Sequence, residues 1–254
     1  MKRLASIVAM GLVAACAVLS AQTPALPTVD QVLEKYLTAM GGQAAFDKIT
    51  SRTAKATIEI PDMGITGSMT MMEKAPNKSL VVVEIATMTV REGTDGVVAW
   101  DDNPQTGLRE KTGIELAEYK RGTIFNIETK LKSAYPKMNV TGRDTVNGRA
   151  AIVIDAIPEQ GSPVKIFFDS ETGLILKQAG TRESPQGPIT FESFYDDYRT
   201  VDGIKQPHTL RQVTSMFTSV IRITEMKHNV PVDDALFKKP GLSRWRTTQT
   251  RLCR

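Results

Sequence analysis

Acidic residues and a histidine that could form a metal site or an acid–base pair are clustered in residues 194–210. This segment, FYDDYRTVDGIKQPHTL, contains Asp196, Asp197, Asp202 and His208, one of only two histidines in the chain. Adjacent residues of a strand point to opposite faces, so Asp196 and Asp197 cannot chelate one ion together. The spacing also differs from the D-x-[DN]-x-[DN]-G pattern of a calcium loop. The Asp-Gly pair that begins at Asp202 is typical of a β-hairpin tip, so we expect the segment to be structural.

The second histidine, His228, lies in the next predicted strand, where it could be a cross-strand neighbour of His208. A zinc site needs at least a third protein ligand, and no motif indicates one. The sequence also contains no G-x-S-x-G, H-E-x-x-H, P-loop or C-x-x-C pattern. We therefore predict no metal site, no cofactor and no catalytic centre. The competing hypothesis is a periplasmic hydrolase that uses His208 or His228.

Two regions of the chain, residues 28–49 and 113–134, are predicted to be helical because their apolar residues recur near helical spacing. Each begins with the spacing of a capping box, in which a threonine precedes a glutamine or glutamate by three residues. These pairs are Thr28 with Gln31 and Thr112 with Glu115. Gly122 lies inside the second region, and we expect it to divide that region into two shorter helices.

The remaining segments are predicted to be antiparallel strands. In TAKATIEI, the apolar residues Ala54, Ala56 and Ile58 alternate with polar ones, which indicates a strand with one buried face. The strands come in two uninterrupted runs, about five of them in the first, and do not alternate with helices, so a parallel sheet is not expected. Turn signals separate them at Thr94-Asp95-Gly96, Asn147-Gly148, DSETG and Asp202-Gly203.

The first 21 residues are predicted to be an export signal. Lys2 and Arg3 precede a run of apolar and small residues that is too short to span a bilayer. We expect cleavage after Ala21, which would release the protein into the periplasm. Alternatively, VAAC is similar to a lipobox, and removal of residues 1–15 would leave Cys16 as a lipid-bearing anchor.

Charge and cysteine content limit the partners of the chain. Residues 241–254 carry four arginines, lack any periodicity and are predicted to be a disordered basic tail. Without those four charges and the two at the N-terminus, the net charge of +4 becomes −2 for residues 22–240. Nucleic acid is therefore not expected as a partner. The only cysteines are Cys16 and Cys253, so the exported body has no internal disulfide.

Over residues 28–240, the order of these elements resembles the LolA/LolB-like family, which includes outer-membrane lipoprotein-sorting-like proteins of bacteria. The resemblance is carried by YDDYRTVDGIKQPHTL and VKIFFDSETGLILKQ. It implies an α+β fold, an unclosed antiparallel β-barrel (half-barrel) with helices covering the concave face. It also implies a periplasmic carrier or binding protein for the acyl chains of a lipid or lipoprotein.

A half-barrel has a cavity whose walls are the inward faces of its strands. Methionine suits such a cavity because it is flexible and polarizable. Alternatively, the same residues pack a central helix as an ordinary core. The predicted lining residues are Ala54, Ala56, Ile58, Met69, Met71, Val81, Val83 and Ile85.

We further expect a non-catalytic monomer that contacts a membrane transiently. The alternative function is a protein-interaction or stress-sensing module with a protein partner in the envelope.

Overall fold

The computed structural model describes residues 25–185 and 187–241. The predicted signal peptide, the alternative lipidation site at Cys16 and the predicted tail beyond residue 241 lie outside the described residues.

Within the described part of the chain, thirteen strands form one sheet. They begin and end close to the turn signals in the sequence. Their bounds are β1 Ser51–Ile60, β2 Ile65–Lys74, β3 Lys78–Ile85, β4 Met88–Thr94, β5 Ala99–Asn103, β6 Gly107–Glu110, β7 Lys137–Val146, β8 Arg149–Ile157, β9 Val164–Asp169, β10 Ile175–Arg182, β11 Ile189–Val201, β12 Ile204–Thr214 and β13 Thr218–His228.

The spatial order of the strands is β6-β5-β4-β3-β2-β1-β13-β12-β11-β10-β9-β8-β7, and neighbouring strands pair antiparallel. Strands β1 to β6 form one meander and β7 to β13 a second, and the two are joined where β1 pairs with β13. Strands β6 and β7 are the two edges, so the sheet is not closed. This arrangement confirms the predicted unclosed antiparallel α+β fold, with a sixth strand in the first meander.

Four α-helices accompany the sheet in the described residues: α1 Val29–Met40, α2 Gln43–Phe46, α3 Gly113–Gly122 and α4 Leu131–Ala134. None of them is long and apolar enough to cross a membrane. The predicted capping box of α1 is present, because the Gln31 amide donates to Thr28 Oγ1 at 3.2 Å and the Thr28 amide donates to Gln31 Oε1 at 2.8 Å. The helix ends at Gly41, whose φ of 121° favours glycine.

The predicted helical region 113–134 consists of α3, a 3₁₀ turn at Ile127–Thr129 and α4. Helix α3 ends at Gly122, as expected. The second predicted capping box was wrong, because the Thr112 side chain makes no capping hydrogen bond. The Glu115 carboxylate instead accepts two hydrogen bonds from Arg109, at 2.8 and 2.6 Å, so stronger charged donors occupy it.

The main core lies between the helices and one face of the second meander. Tyr36 of α1 packs edge-on against Phe168 of β9, with ring centroids 5.5 Å apart. Ile154 of β8 and Ile166 of β9 are fully buried in the same cluster, and Tyr195 of β11 packs against it. We call this side of the sheet the helix face.

The opposite face of the first meander is covered by the segment that follows β13. Trp100 of β5 and Leu80 of β3 pack there with Val232 and Phe237. The indole Nε1 of Trp100 donates a hydrogen bond to the Phe237 carbonyl oxygen at 3.0 Å. Because the segment after β13 covers this face, a ligand cavity of the first meander would have to lie on the helix face.

Candidate functional site

The eight predicted cavity residues lie together on one face of β1, β2 and β3. Residues directly opposite each other in an antiparallel pair share a face, so the strand register assigns them to three cross-strand rows. The rows are Ala54–Met71–Val81, Ala56–Met69–Val83 and Ile58–Gly67–Ile85. We call the eight predicted residues of these rows, without Gly67, the apolar wall.

The apolar wall is on the helix face. Ile58 of β1 lies opposite Ile221 of β13, Ile221 lies opposite Leu210 of β12, and Leu210 lies opposite Tyr195. Tyr195 packs against the core beneath α1. The wall therefore extends the surface on which the helices lie.

The wall itself is not part of the core beneath the helices. The cluster that contains Tyr36 and Phe168 includes none of the eight residues. On β1, Ala54, Ala56 and Ile58 are at most 8% exposed. The five wall residues of β2 and β3 are half-buried. The wall is thus a partly exposed apolar surface that adjoins the packed core.

A charged residue, Arg52, stands two positions before Ala54 on the same face of β1. Its Nη1 donates to Glu73 Oε2 at 2.9 Å, and its Nη2 donates to Asn126 Oδ1 at 3.4 Å. Its side chain is only 12% exposed, and Arg52 lies directly opposite His228 of β13. The apolar wall therefore ends at a buried polar group.

His228 is held by the hairpin tip that follows β11. Its Nδ1 lies 3.1 Å from Asp202 Oδ2, and its Nε2 is buried without a hydrogen-bond partner among the described residues. Burial lowers the pKa of His228, the Arg52 cation lowers it further, and Asp202 opposes both effects. The imidazole is therefore neutral at neutral pH, with Nδ1–H donating to Asp202 and Nε2 available as an acceptor.

Glu128 of the 3₁₀ turn completes this group of side chains. Its Oε1 accepts a hydrogen bond from Gln206 Nε2 at 3.3 Å. Its Oε2 is buried and, like Nε of Arg52, has no hydrogen-bond partner in the described chain. We call the whole set the polar cluster. It consists of Arg52, Glu73, Asn126, Glu128, Asp202, Gln206 and His228.

The analysis of the sequence missed this polar cluster. One signal was available, because Arg52 continues the alternation of Ala54 and Ala56 and so puts a charge on the predicted buried face. Glu128 and Gln206 come from distant parts of the chain, and no local pattern connects them with Arg52.

The two histidines do not form a pair. His228 lies opposite Arg52, whereas Nδ1 of the buried His208 is 3.0 Å from the Gln206 carbonyl oxygen. Among the residues that the structure describes, no group of three or more His, Cys, Asp or Glu side chains could hold a metal ion. Residues 194–210 form the β11–β12 hairpin, with Asp202 and Gly203 at its tip.

The two neighbouring aspartates of this hairpin have local roles. Asp197 has a φ of 51° and accepts hydrogen bonds from Arg199 at 3.0 and 2.6 Å, and Asp196 Oδ1 accepts one from the Asp197 amide at 2.8 Å. These contacts agree with the structural interpretation of the segment.

A second charged group attaches α3 to the edge of the sheet. Glu115 accepts hydrogen bonds from Arg109 and, at 3.2 Å, from Lys111. Arg109 Nη2 also lies 2.8 Å from Asp101 Oδ1. Hydrogen bonding to Arg109 lowers the pKa of Glu115. Helix α3 has no buried residue, so polar contacts attach it: these ion pairs, the Glu118 carboxylate that accepts from the Ser162 and Glu183 amides, and Arg121, which donates to the Gln160 carbonyl oxygen.

Two surface depressions also lie outside the apolar wall. One of about 670 Å³ is lined by the start of β1, by Lys74 and Ala75, and by residues 229–233. Another of about 390 Å³ lies beside α1, between Lys35 and Thr172. Neither is lined by any of the eight wall residues.

The fold is similar to those of several solved bacterial proteins. A DUF1329 family protein from Desulfovibrio piger is 15% identical with a TM-score of 0.54, and the match covers 83% of this chain and 97% of that one. An outer membrane lipoprotein-sorting protein domain from Vibrio parahaemolyticus is 13% identical with a TM-score of 0.54, over 82% and 97% of the two chains. A LolA superfamily protein from Nitrosomonas europaea is 15% identical with a TM-score of 0.53, over 84% and 98%.

No protein-family model and no curated protein matches the sequence. The similarity therefore lies in the three-dimensional structure, where it spans most of this chain and nearly all of each solved relative. From the sheet order and these likenesses together, the chain has the LolA-like fold, an unclosed antiparallel barrel with helices on one face.

Proposed function

We propose that this protein is a non-catalytic periplasmic carrier that binds the acyl chains of a lipid or lipoprotein along the apolar wall. The observation that carries the proposal is the position of the eight wall residues. They share the helix face, yet they lie outside the core that packs beneath the helices. An apolar surface next to the core, rather than inside it, can contact a ligand.

The energetics favour an acyl chain as the ligand. Removing a methylene group from water contributes about 0.8 kcal/mol. A chain of about ten methylenes could therefore bind after the costs of association, even if it is only partly covered. Met69 and Met71 lie in adjacent rows of the wall, where flexible thioether side chains can adapt to chains of different shape.

Two further observations support the proposal. The N-terminal sequence is typical of an export signal, which would bring the protein next to two membranes. One of the solved proteins of similar fold is described as an outer membrane lipoprotein-sorting protein domain.

The proposal is tested by lipid analysis of protein purified from the periplasm of its own host and by titration with a fluorescent fatty acid. We expect native mass spectrometry to detect a bound lipid, and the titration to saturate. Met71→Trp and Val83→Glu should abolish or strongly weaken binding, because they fill the wall or place a charge on it.

Thr70→Glu is the matched control. Thr70 neighbours Met71 on β2 but points to the opposite face, and it lies opposite Lys55, which can accommodate the new charge. This variant should bind like the wild type. If the wild-type protein carries no lipid and does not bind the fatty acid saturably, the carrier function is wrong, and a protein-interaction module becomes the better hypothesis.

Localisation has its own test. Mass spectrometry of the mature N-terminus should find Gln22 as the first residue of a soluble periplasmic protein. A detergent-extracted protein that begins at lipid-modified Cys16 would favour the anchored alternative. An intact Met1 on a cytoplasmic protein would contradict both.

A further inference from the structure

Three buried polar atoms of the polar cluster have no hydrogen-bond partner among the described residues. They are Nε of Arg52, Oε2 of Glu128 and Nε2 of His228. Buried polar groups are almost always paired, so an unpaired group requires an explanation. These three belong to one neighbourhood, since Arg52 lies opposite His228 and both Arg52 and Glu128 act electrostatically on the pKa of His228.

The hydrogen-bonding character of these atoms identifies the chemistry that would satisfy them. Arg52 Nε–H is a donor, and the Glu128 carboxylate oxygen is an acceptor. His228 Nε2 is also an acceptor, because Nδ1–H of the neutral ring is directed to Asp202. Hydroxyl groups fit this set, because a hydroxyl can both donate to the two acceptors and accept from the arginine.

The charges of the cluster disfavour an anionic ligand. The Arg52 guanidinium is already paired with Glu73 at 2.9 Å. Glu128 and Asp202 add two carboxylates, while His228 is neutral. A phosphate or carboxylate placed here would face net negative charge, whereas an uncharged hydroxyl would not.

The position of the cluster relative to the apolar wall connects it with the proposed ligand. Arg52, Ala54, Ala56 and Ile58 share one face of β1. From Arg52 to Ile58 the strand extends roughly 20 Å, which is comparable with an extended long acyl chain. A chain along the wall would thus bring its polar end to the cluster.

We propose that the polar cluster binds the uncharged, hydroxyl-bearing head group of a lipid, such as a glycerol or a sugar, whose acyl chain lies along the apolar wall. This inference rests on the proposed function and adds the chemical class of the ligand. To admit the head group, the 3₁₀ turn Ile127–Thr129 shifts away from the sheet while Glu128 keeps its contact with the ligand. The Gln206–Glu128 and Arg52–Asn126 hydrogen bonds that fasten this region to the sheet are 3.3 and 3.4 Å long, at the weak end of the usual range.

The test compares three ligands that carry the same acyl chain on the wild-type protein. Palmitate, monopalmitoylglycerol and palmitoyl lysophosphatidic acid each compete with a fluorescent fatty acid. We expect monopalmitoylglycerol to bind about tenfold more tightly than the two anionic ligands, because it forms two or more additional hydrogen bonds. Glu128→Gln and His228→Phe should reduce this preference severalfold, while Glu84→Gln, an exposed change on the opposite face of β3, should retain it.

The outcomes separate the two proposals. If none of the three ligands binds, the carrier function is wrong. If palmitate binds as tightly as monopalmitoylglycerol, or lysophosphatidic acid binds more tightly, the carrier function stands and the head-group site is wrong. The selectivity of the wild-type protein decides this question even if a cluster variant fails to fold.

Discussion

His228 lies directly opposite Arg52 across the β1–β13 pair, and its side chain is 1% exposed. Because burial and Arg52 lower the pKa of His228 in the folded protein, the unfolded chain binds a proton more readily. The neutral histidine therefore contributes stability above its ordinary pKa of about 6.5, and this contribution is lost as the pH falls below that value. We predict that the free energy of unfolding decreases between roughly pH 7.5 and 5.5.

Urea unfolding of two variants at several pH values shows whether His228 causes this pH dependence. His228→Gln should reduce the slope of stability against pH. His208→Gln is the comparison variant, because it replaces the other histidine, a buried residue of the adjacent strand that lies outside the polar cluster. Equal slopes for the wild type and His228→Gln would contradict the prediction.

The segment after β13 should be essential for the stability of the first meander. Phe237 is fully buried against Trp100 and accepts its indole hydrogen bond through the main chain. Phe237→Ala should lower the free energy of unfolding by about 3–5 kcal/mol, because it leaves a cavity in the cluster. Leu236→Ala is the matched control. Leu236 is 46% exposed, so its truncation should change stability by less than about 0.5 kcal/mol.

Local patterns predicted the secondary structure well. The alternation of Ala54, Ala56 and Ile58 identified one face of β1, because side chains of a strand alternate whatever its partners are. The Asn147-Gly148 and Asp202-Gly203 turns were found for a similar reason, since a left-handed backbone at both central positions favours these residues. The capping box at Thr112 failed because Glu115 had stronger partners outside the helix.

Long-range pairing was the part that the sequence did not reveal. Nothing local indicates that β1 pairs with β13, yet this pair puts His228 opposite Arg52. Glu128 reaches the same place from a 3₁₀ turn that contacts Gln206 of β12. The apolar wall was predictable because each of its strands has its own alternation. The polar cluster was not predictable from the sequence, because its residues come together only when three distant segments of the chain are packed in the fold.

Alanine at the end of α1 should cost more stability at Gly41 than at its neighbour Gly42. Gly41 and Gly42 both have positive φ, 121° and 80°, so alanine would be strained at either position. A Cβ at Gly41 would also lie 2.2 Å from the Gly203 carbonyl oxygen, whereas one at Gly42 would meet nothing within 4 Å. Gly42→Ala should cost about 1–3 kcal/mol, because the combination of φ 80° and ψ 161° is essentially restricted to glycine. Gly41→Ala should cost clearly more, and equal melting temperatures of the two variants would refute the close contact with the β11–β12 hairpin.

Helix α3 should be held less firmly at its N-terminal end when Glu115 loses its charge. Glu115→Gln removes one of the two carboxylates that Arg109 and Lys111 share, the other being that of Asp101, and we expect a local destabilisation of about 2 kcal/mol. Because hydrogen bonding to Arg109 lowers the pKa of Glu115, the attachment is present at neutral pH and is lost as the pH falls through that lowered value.

Hydrogen exchange can separate this local effect from global unfolding. In Glu115→Gln, the amides of residues 113–122 should exchange faster, while those of β8 and β9 keep their protection, because α3 contributes no residue to the buried core. Glu84→Gln removes an exposed carboxylate from β3 and should leave α3 protected. Unchanged exchange in α3 of Glu115→Gln would mean that the ion pairs with Arg109 and Lys111 do not hold the helix.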